Sequence, residues 1–77
     1  MKLSPIQSNM TEITLGNGDR VLFSYQTPVA CKLGQEWYRT RHKWSNTTTR
    51  HINKWMGKEN GIHLDQSFFD NLANGAI

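Results

Sequence analysis

Apolar and polar positions alternate with a period of two through the first half of the chain and then change to a helical period. Ile13 and Leu15 alternate with Glu12 and Thr14, and Gly16-Asn17-Gly18-Asp19 follows, a run that tolerates positive φ. Val21, Phe23 and Tyr25 then alternate with Leu22 and Ser24, so the stretch predicts a β-hairpin. Thr27-Pro28 interrupts the run, because proline removes a ladder donor, and Val29 to Leu33 resumes a strand-like segment that ends at Gly34-Gln35. Glu36 to Trp44 is the outgoing strand of a second hairpin. Alternation puts Tyr38, Thr40, His42 and Trp44 on one face and Trp37, Arg39, Arg41 and Lys43 on the other.

After Trp44 the period changes. Ser45-Asn46-Thr47 offers N-cap oxygens, and Thr48, Ile52, Trp55 and Met56 fall at helical spacing until Gly57. Arg50, Lys54 and Lys58 recur every four residues on the other side, with His51 adjacent, so this helix is expected to bury Ile52 and Trp55 and to present cations. Asn60-Gly61 marks a turn, Ile62 to Leu64 is short and extended, and Asp65 is an N-cap candidate for a last helix. Phe68, Phe69, Leu72 and Ala73 form the apolar side of that helix, and Asn74-Gly75 is expected to end it. Residues 1–10 have no period and read as a flexible N-terminal segment; residues 11–77 read as a single domain. The expected class is α+β, a small antiparallel sheet of three or four strands followed by two short helices packed on one face.

Composition narrows the class of function. With 77 residues the chain suffices for one small domain. A mean hydropathy of -0.66 leaves no stretch near the roughly 20 apolar residues that a membrane helix needs. No apolar stretch follows Met1-Lys2, so no secretory signal is expected and the chain reads as intracellular. The single cysteine, Cys31, has no intramolecular disulfide partner. The net charge of +3 hides an asymmetry: Lys32 to Lys58 carries seven of the nine basic residues against Glu36 alone, and the flanks are acidic. Clustered cations raise the local potential and suit an anionic partner.

Catalytic chemistry finds little footing. Cys31, His42, His51 and His63 are the zinc-type ligands, and no two of them stand at the close spacing of a ligand pair, so no metal is expected. Cys31 lies mid-strand between Ala30 and Lys32, the setting of a buried structural thiol. The six carboxylates sit near turns and helix ends with no pair on one element. Gly16-Asn17-Gly18 lacks the following helix and the Lys-Ser/Thr ending of a phosphate loop. The expectation is a non-catalytic protein with no catalytic residues and no cofactor.

The strongest chemical signal is the interleaving of aromatic and basic residues from Trp37 to Lys58. Nucleic-acid surfaces need cations for phosphates and flat side chains for bases. The candidate surface is Trp37, Arg39, Arg41, Lys43, Arg50, His51 and Lys54. Thr47, Thr48 and Thr49 at the helix start add hydroxyls and backbone N–H groups. Tyr38, Trp44, Ile52 and Trp55 read as core. The same residues equally suit an acidic patch on a protein, with Trp37 as a buried anchor, so nucleic acid and protein both stay open as partners. An exposed strand edge also offers a second copy of the chain a place to pair, giving a homodimer.

The string Tyr38-Arg39-Thr40 … Lys43-x-Ser45-x-Thr47-Thr48-x-Arg50-His51-Ile52-Asn53-Lys54-Trp55 resembles a small protein family encoded mainly by bacteriophages, with the Thr-Thr-x-Arg-His-Ile-Asn-Lys-Trp core carrying the likeness. The likeness extends upstream through Ser24 to Ala30 and downstream to Gln66 to Leu72. The resemblance implies a viral accessory protein acting in the cytoplasm of a host bacterium, and it brings no activity or catalytic residues with it. Its partner would be nucleic acid or an acidic surface of a host or viral protein, for example a component of antiviral defence that it inhibits or redirects.

Overall fold

A computed structural model of the chain describes residues 2–7, 9–57 and 61–76. Six strands form one sheet: β1 (Lys2–Gln7), β2 (Met10–Thr14), β3 (Arg20–Ser24), β4 (Thr27–Leu33), β5 (Glu36–Thr40) and β6 (Ile62–Leu64). Their order in the sheet is their order in the chain. The first five are antiparallel neighbours, whereas β6 returns parallel to β5 after helix α1 (Asn46–Met56) has crossed over the sheet. Helix α2 (Gln66–Ala76) follows directly. The class is α+β, but the sheet is mixed and larger than the three or four strands that alternation alone predicts.

The additional strands lie at the two edges, where pairing needs no periodic apolar face. Residues 2–7, which lack any period, pair with β2 from Lys2 opposite Thr14 to Gln7 opposite Met10. Ile62, His63 and Leu64 sit opposite Tyr38, Arg39 and Thr40. Backbone hydrogen bonds specify both edges; Ile62 to Leu64 reads as extended, but side-chain patterning is silent about how either edge pairs.

The helices cover opposite faces of the sheet, which corrects the expectation that both pack on one. Met10, Leu22, Val29 and Ala30 meet Ile52 and Met56 of α1, with Trp37 and Trp55 packed against them. Val21, Cys31 and Phe69 of α2 form the other core, joined by Leu33, Tyr38, Leu64, Phe68 and Leu72. The physical reason is in β3 and β4, where Val21-Leu22-Phe23 and Val29-Ala30-Cys31 place apolar side chains on both faces. A sheet apolar on both sides needs a layer on each. A register shift between Leu22 and Phe23 puts Ala30 opposite Leu22 and Pro28 opposite Phe23, so Val29 is the extra residue of a bulge. That bulge accommodates Pro28 within β4 and brings Val29 and Ala30 together in the α1 core.

The Gly16–Asp19 turn forms as the sequence predicts, with Leu15 N–H donating to the Asp19 carbonyl at 2.7 Å. The Asp19 carboxylate also accepts from Gly34 N–H at 2.9 Å, tying this turn to the one between β4 and β5. The Tyr25-Gln26 turn between β3 and β4 carries no glycine signal; Tyr25 stands at φ 59. Helix α1 is capped by Ser45, whose Oγ accepts from Thr48 N–H at 3.1 Å, and by Gly57 at φ 65. Helix α2 runs through Asn74-Gly75 to Ala76, since these residues lower helix propensity without blocking it. Lys58 and Asn60, singled out in the sequence, lie outside the described residues. Gly61 has φ 72, and a Cβ there would collide with the Met56 methyl and lie 3.3 Å from the Trp37 carbonyl oxygen. Among the described residues no helix is long and apolar enough to cross a membrane.

Candidate functional site

The stretch Glu36–Trp44 is not one strand. Strand β5 stops at Thr40, whose Oγ1 accepts from His42 N–H at 3.2 Å while Arg41 N–H donates to the Leu64 carbonyl at 2.9 Å. A threonine hydroxyl that captures the backbone two residues on turns the chain out of the ladder. Residues 41–45 therefore form a loop to α1, and the strand face expected to hold Trp37, Arg39, Arg41 and Lys43 is divided.

Trp37 and Arg39 lie under α1. The Trp37 ring meets Trp55 edge-to-face at 5.4 Å, and the Lys32 ammonium stands 4.9 Å from its centroid. These contacts make Trp37 half-buried packing instead of an open stacking platform. Arg39 donates from Nη1 to Asn53 Oδ1 at 3.2 Å, and its Nε is buried without a partner. His51 is also removed from the surface: it is 5% exposed, and its Nδ1 lies 2.8 Å from Ser24 Oγ. Ser24 Oγ is in turn 3.0 Å from Thr48 Oγ1. This network pins α1 to β3, because each buried polar group in it finds its partner there. The helical spacing of His51 with Thr48 and Ile52 was the signal for its inward side. Arg50 and Lys54 are exposed on the outer side of α1, and Lys54 Nζ donates to Gln7 Oε1.

A cleft of about 290 Å³ opens between the end of β5, the 41–45 loop, β6 and the first turns of α1. Arg39, Arg41, Lys43, His42, His63 and Thr49 line it together with Trp44. No carboxylate is among its lining residues as described, and the first turn of α1 carries no acidic residue. The positive end of the helix dipole thus adds to the cationic side chains. Arg41 Nε is 3.1 Å from Asp65 Oδ1, with both side chains more than half exposed. Such an exposed pair is worth about 0–1 kcal/mol, so an incoming anion exchanges with Asp65 at little cost.

Trp44 departs from the core role expected of it. It is 47% exposed, its indole N–H donates to Gln66 Oε1 at 3.0 Å, and His42 lies edge-to-face at 4.4 Å. Three of the seven sequence-predicted residues, Arg39, Arg41 and Lys43, come together at the cleft; Trp37, Arg50, His51 and Lys54 do not line it. His42, Trp44 and His63 are the additions that the strand reading of this segment missed. His63 comes in only through the parallel pairing of β6, where it sits opposite Arg39.

Elsewhere the chemistry is structural. Cys31 is fully buried, and burial, with the Asp19 charge as a lesser cause, pushes its thiol up to about 12. Among the described residues no three metal-ligating side chains come together.

No curated protein and no solved structure matches the chain. The sequence model of the Family of unknown function (DUF8033) matches residues 1–71, which is most of its length, and the chain therefore belongs to that family.

Proposed function

We propose that this protein is a non-catalytic nucleic-acid-binding module that seats backbone phosphate in the cleft between β5, the 41–45 loop and the N-terminus of α1. The observation that carries the reading is the convergence there of Arg39, Arg41 and Lys43 with a helix N-terminus and no lining carboxylate. Guanidinium groups offer forked donors that match phosphate oxygens, and Arg39 has an unused buried donor beside the cleft. The likeness to phage-encoded proteins fits the same reading, with an accessory protein working on nucleic acid in the host bacterial cytoplasm.

Fluorescence anisotropy of labelled oligonucleotides at roughly 50 and 200 mM salt tests this, because phosphate contacts give log affinity a negative slope against log salt. Arg41→Ala with Lys43→Ala is expected to weaken binding and to reduce that slope by about two units at most, one per lost contact. Absence of binding at the lower salt, or a double variant with unchanged affinity and slope, overturns the proposal.

A further inference from the structure

Resting on the phosphate-binding reading, we infer that the ligand is a single strand, whose bases stack on Trp44 and Tyr25 along a track that leads out of the cationic cleft. Most aromatic side chains of this protein are buried or half-buried; Trp44 at 47% and Tyr25 at 52% exposure are the exceptions among the described residues. Both line one further cleft of about 200 Å³, together with Ser24, Thr27, Ser45 and Thr48. Trp44 and Thr48 also line the cationic cleft, so the two hollows are contiguous. Past Tyr25 the path continues into a hollow lined by Asn9, Thr11, Gln26 and Thr27. The sequence of surfaces is cation, indole, hydroxyls, phenol, then amides and hydroxyls.

Each surface matches one part of a nucleotide chain. Cations take the phosphate, and the rings take base faces with little regard to base identity. Amides and hydroxyls meet the polar base edges. A duplex hides its base faces inside the stack and presents only edges in its grooves, so two open rings beside a phosphate site are of no use to it. The Trp44 ring and the Tyr25 backbone are also held in place. Gln66 fixes the Trp44 indole N–H while its own Nε2 donates to the Pro28 carbonyl at 2.7 Å. Tyr25 occupies a left-handed backbone conformation, φ 59, with its N–H bound to the Asn9 carbonyl at 2.6 Å. Asparagine or glycine would suit that turn better, so a large ring there runs against backbone preference.

The test is anisotropy with four probes of about twelve nucleotides: an oligothymidylate, an oligouridylate, a mixed-sequence duplex and an abasic deoxyribose-phosphate strand. The single strands are expected to bind about tenfold or more tighter than both the duplex and the abasic strand. The DNA and RNA arms separate the two sources of the same chemistry, and tight binding of either one supports the inference. Trp44→Ala and Tyr25→Gly are each expected to weaken single-strand binding about tenfold with an unchanged salt slope, and Trp44→Phe to restore most of the affinity. Tyr25→Gly relieves the backbone conformation, so this variant keeps its fold. Equal, salt-sensitive binding of all four probes overturns base stacking and leaves the phosphate site standing. No binding of any probe overturns both.

Discussion

Cys31 illustrates how position decides chemistry at the residue scale. It lies in the core beneath α2, and burial raises its thiol to about 12 from 9.0. In the unfolded chain the group ionises near its ordinary value, so below about pH 9 both states hold the proton and this residue makes no pH-dependent contribution. Above that pH the unfolded state releases its proton first, and stability falls by ~1 kcal/mol per pH unit until the folded thiol also ionises. Urea midpoints measured from roughly pH 8.5 to 11 are expected to fall more steeply for the wild type than for Cys31→Ala. Parallel curves would mean that the folded thiol is not protected. At the same scale, Arg41 and Lys43 owe their availability to a single hydroxyl, since Thr40 Oγ1 captures His42 N–H and ends the strand before they reach the sheet.

At the scale of elements, α1 is a polar-pinned helix as much as an apolar one. Ile52 and Met56 bury against the sheet, but Ser24, Thr48 and His51 form a buried hydrogen-bonded set along the same contact. Ser24→Ala leaves the buried His51 Nδ1 without its partner, whereas Thr48 Oγ1 keeps the Ser45 hydroxyl at 3.3 Å, and the variant is expected to cost about 1–3 kcal/mol, which chemical denaturation reads directly. An effect below about 0.5 kcal/mol would show that water or another group replaces Ser24. The boundaries of α1 were legible in the sequence because capping is local: Ser45 and Gly57 need only their immediate neighbours to act. Strand β1 and the parallel pairing of β6 were not, although Ile62 to Leu64 reads as extended, because their partners lie elsewhere in the chain and pairing at an edge needs no alternation.

For the whole molecule, the sandwich of one sheet between two helices creates two separate cores. Ile52 belongs to the α1 side and Phe69 to the α2 side. Ile52→Val and Phe69→Leu are each expected to cost about 1 kcal/mol, and the double variant to lose their sum within about 0.5 kcal/mol. Strong coupling between them would be the behaviour of a single shared core, with both helices on one face. The same layering shapes the cleft. Because α1 lies over Trp37 and Arg39, the cationic cleft opens where the helix begins, and there β6 adds His63 and the loop adds Arg41, Lys43 and Trp44.

The amino-acid pattern by itself determined the turns at Gly16–Asp19 and Gly34-Gln35, the start and end of α1, the inward residues of both helices and the basic character of the segment that supplies the cleft. These follow from local terms: φ tolerance at glycine, side-chain capping and the periods of strand and helix. The tertiary structure decided which face each helix covers, the parallel return of β6, and hence which aromatic and basic residues stay open. In one dimension Trp37 reads as the stacking platform and Trp44 as core, and the structure reverses the two, with Trp37 half-buried and Trp44 open. They are separated only by where α1 comes to rest, which depends on the apolar surface that strands distant in the chain assemble between them.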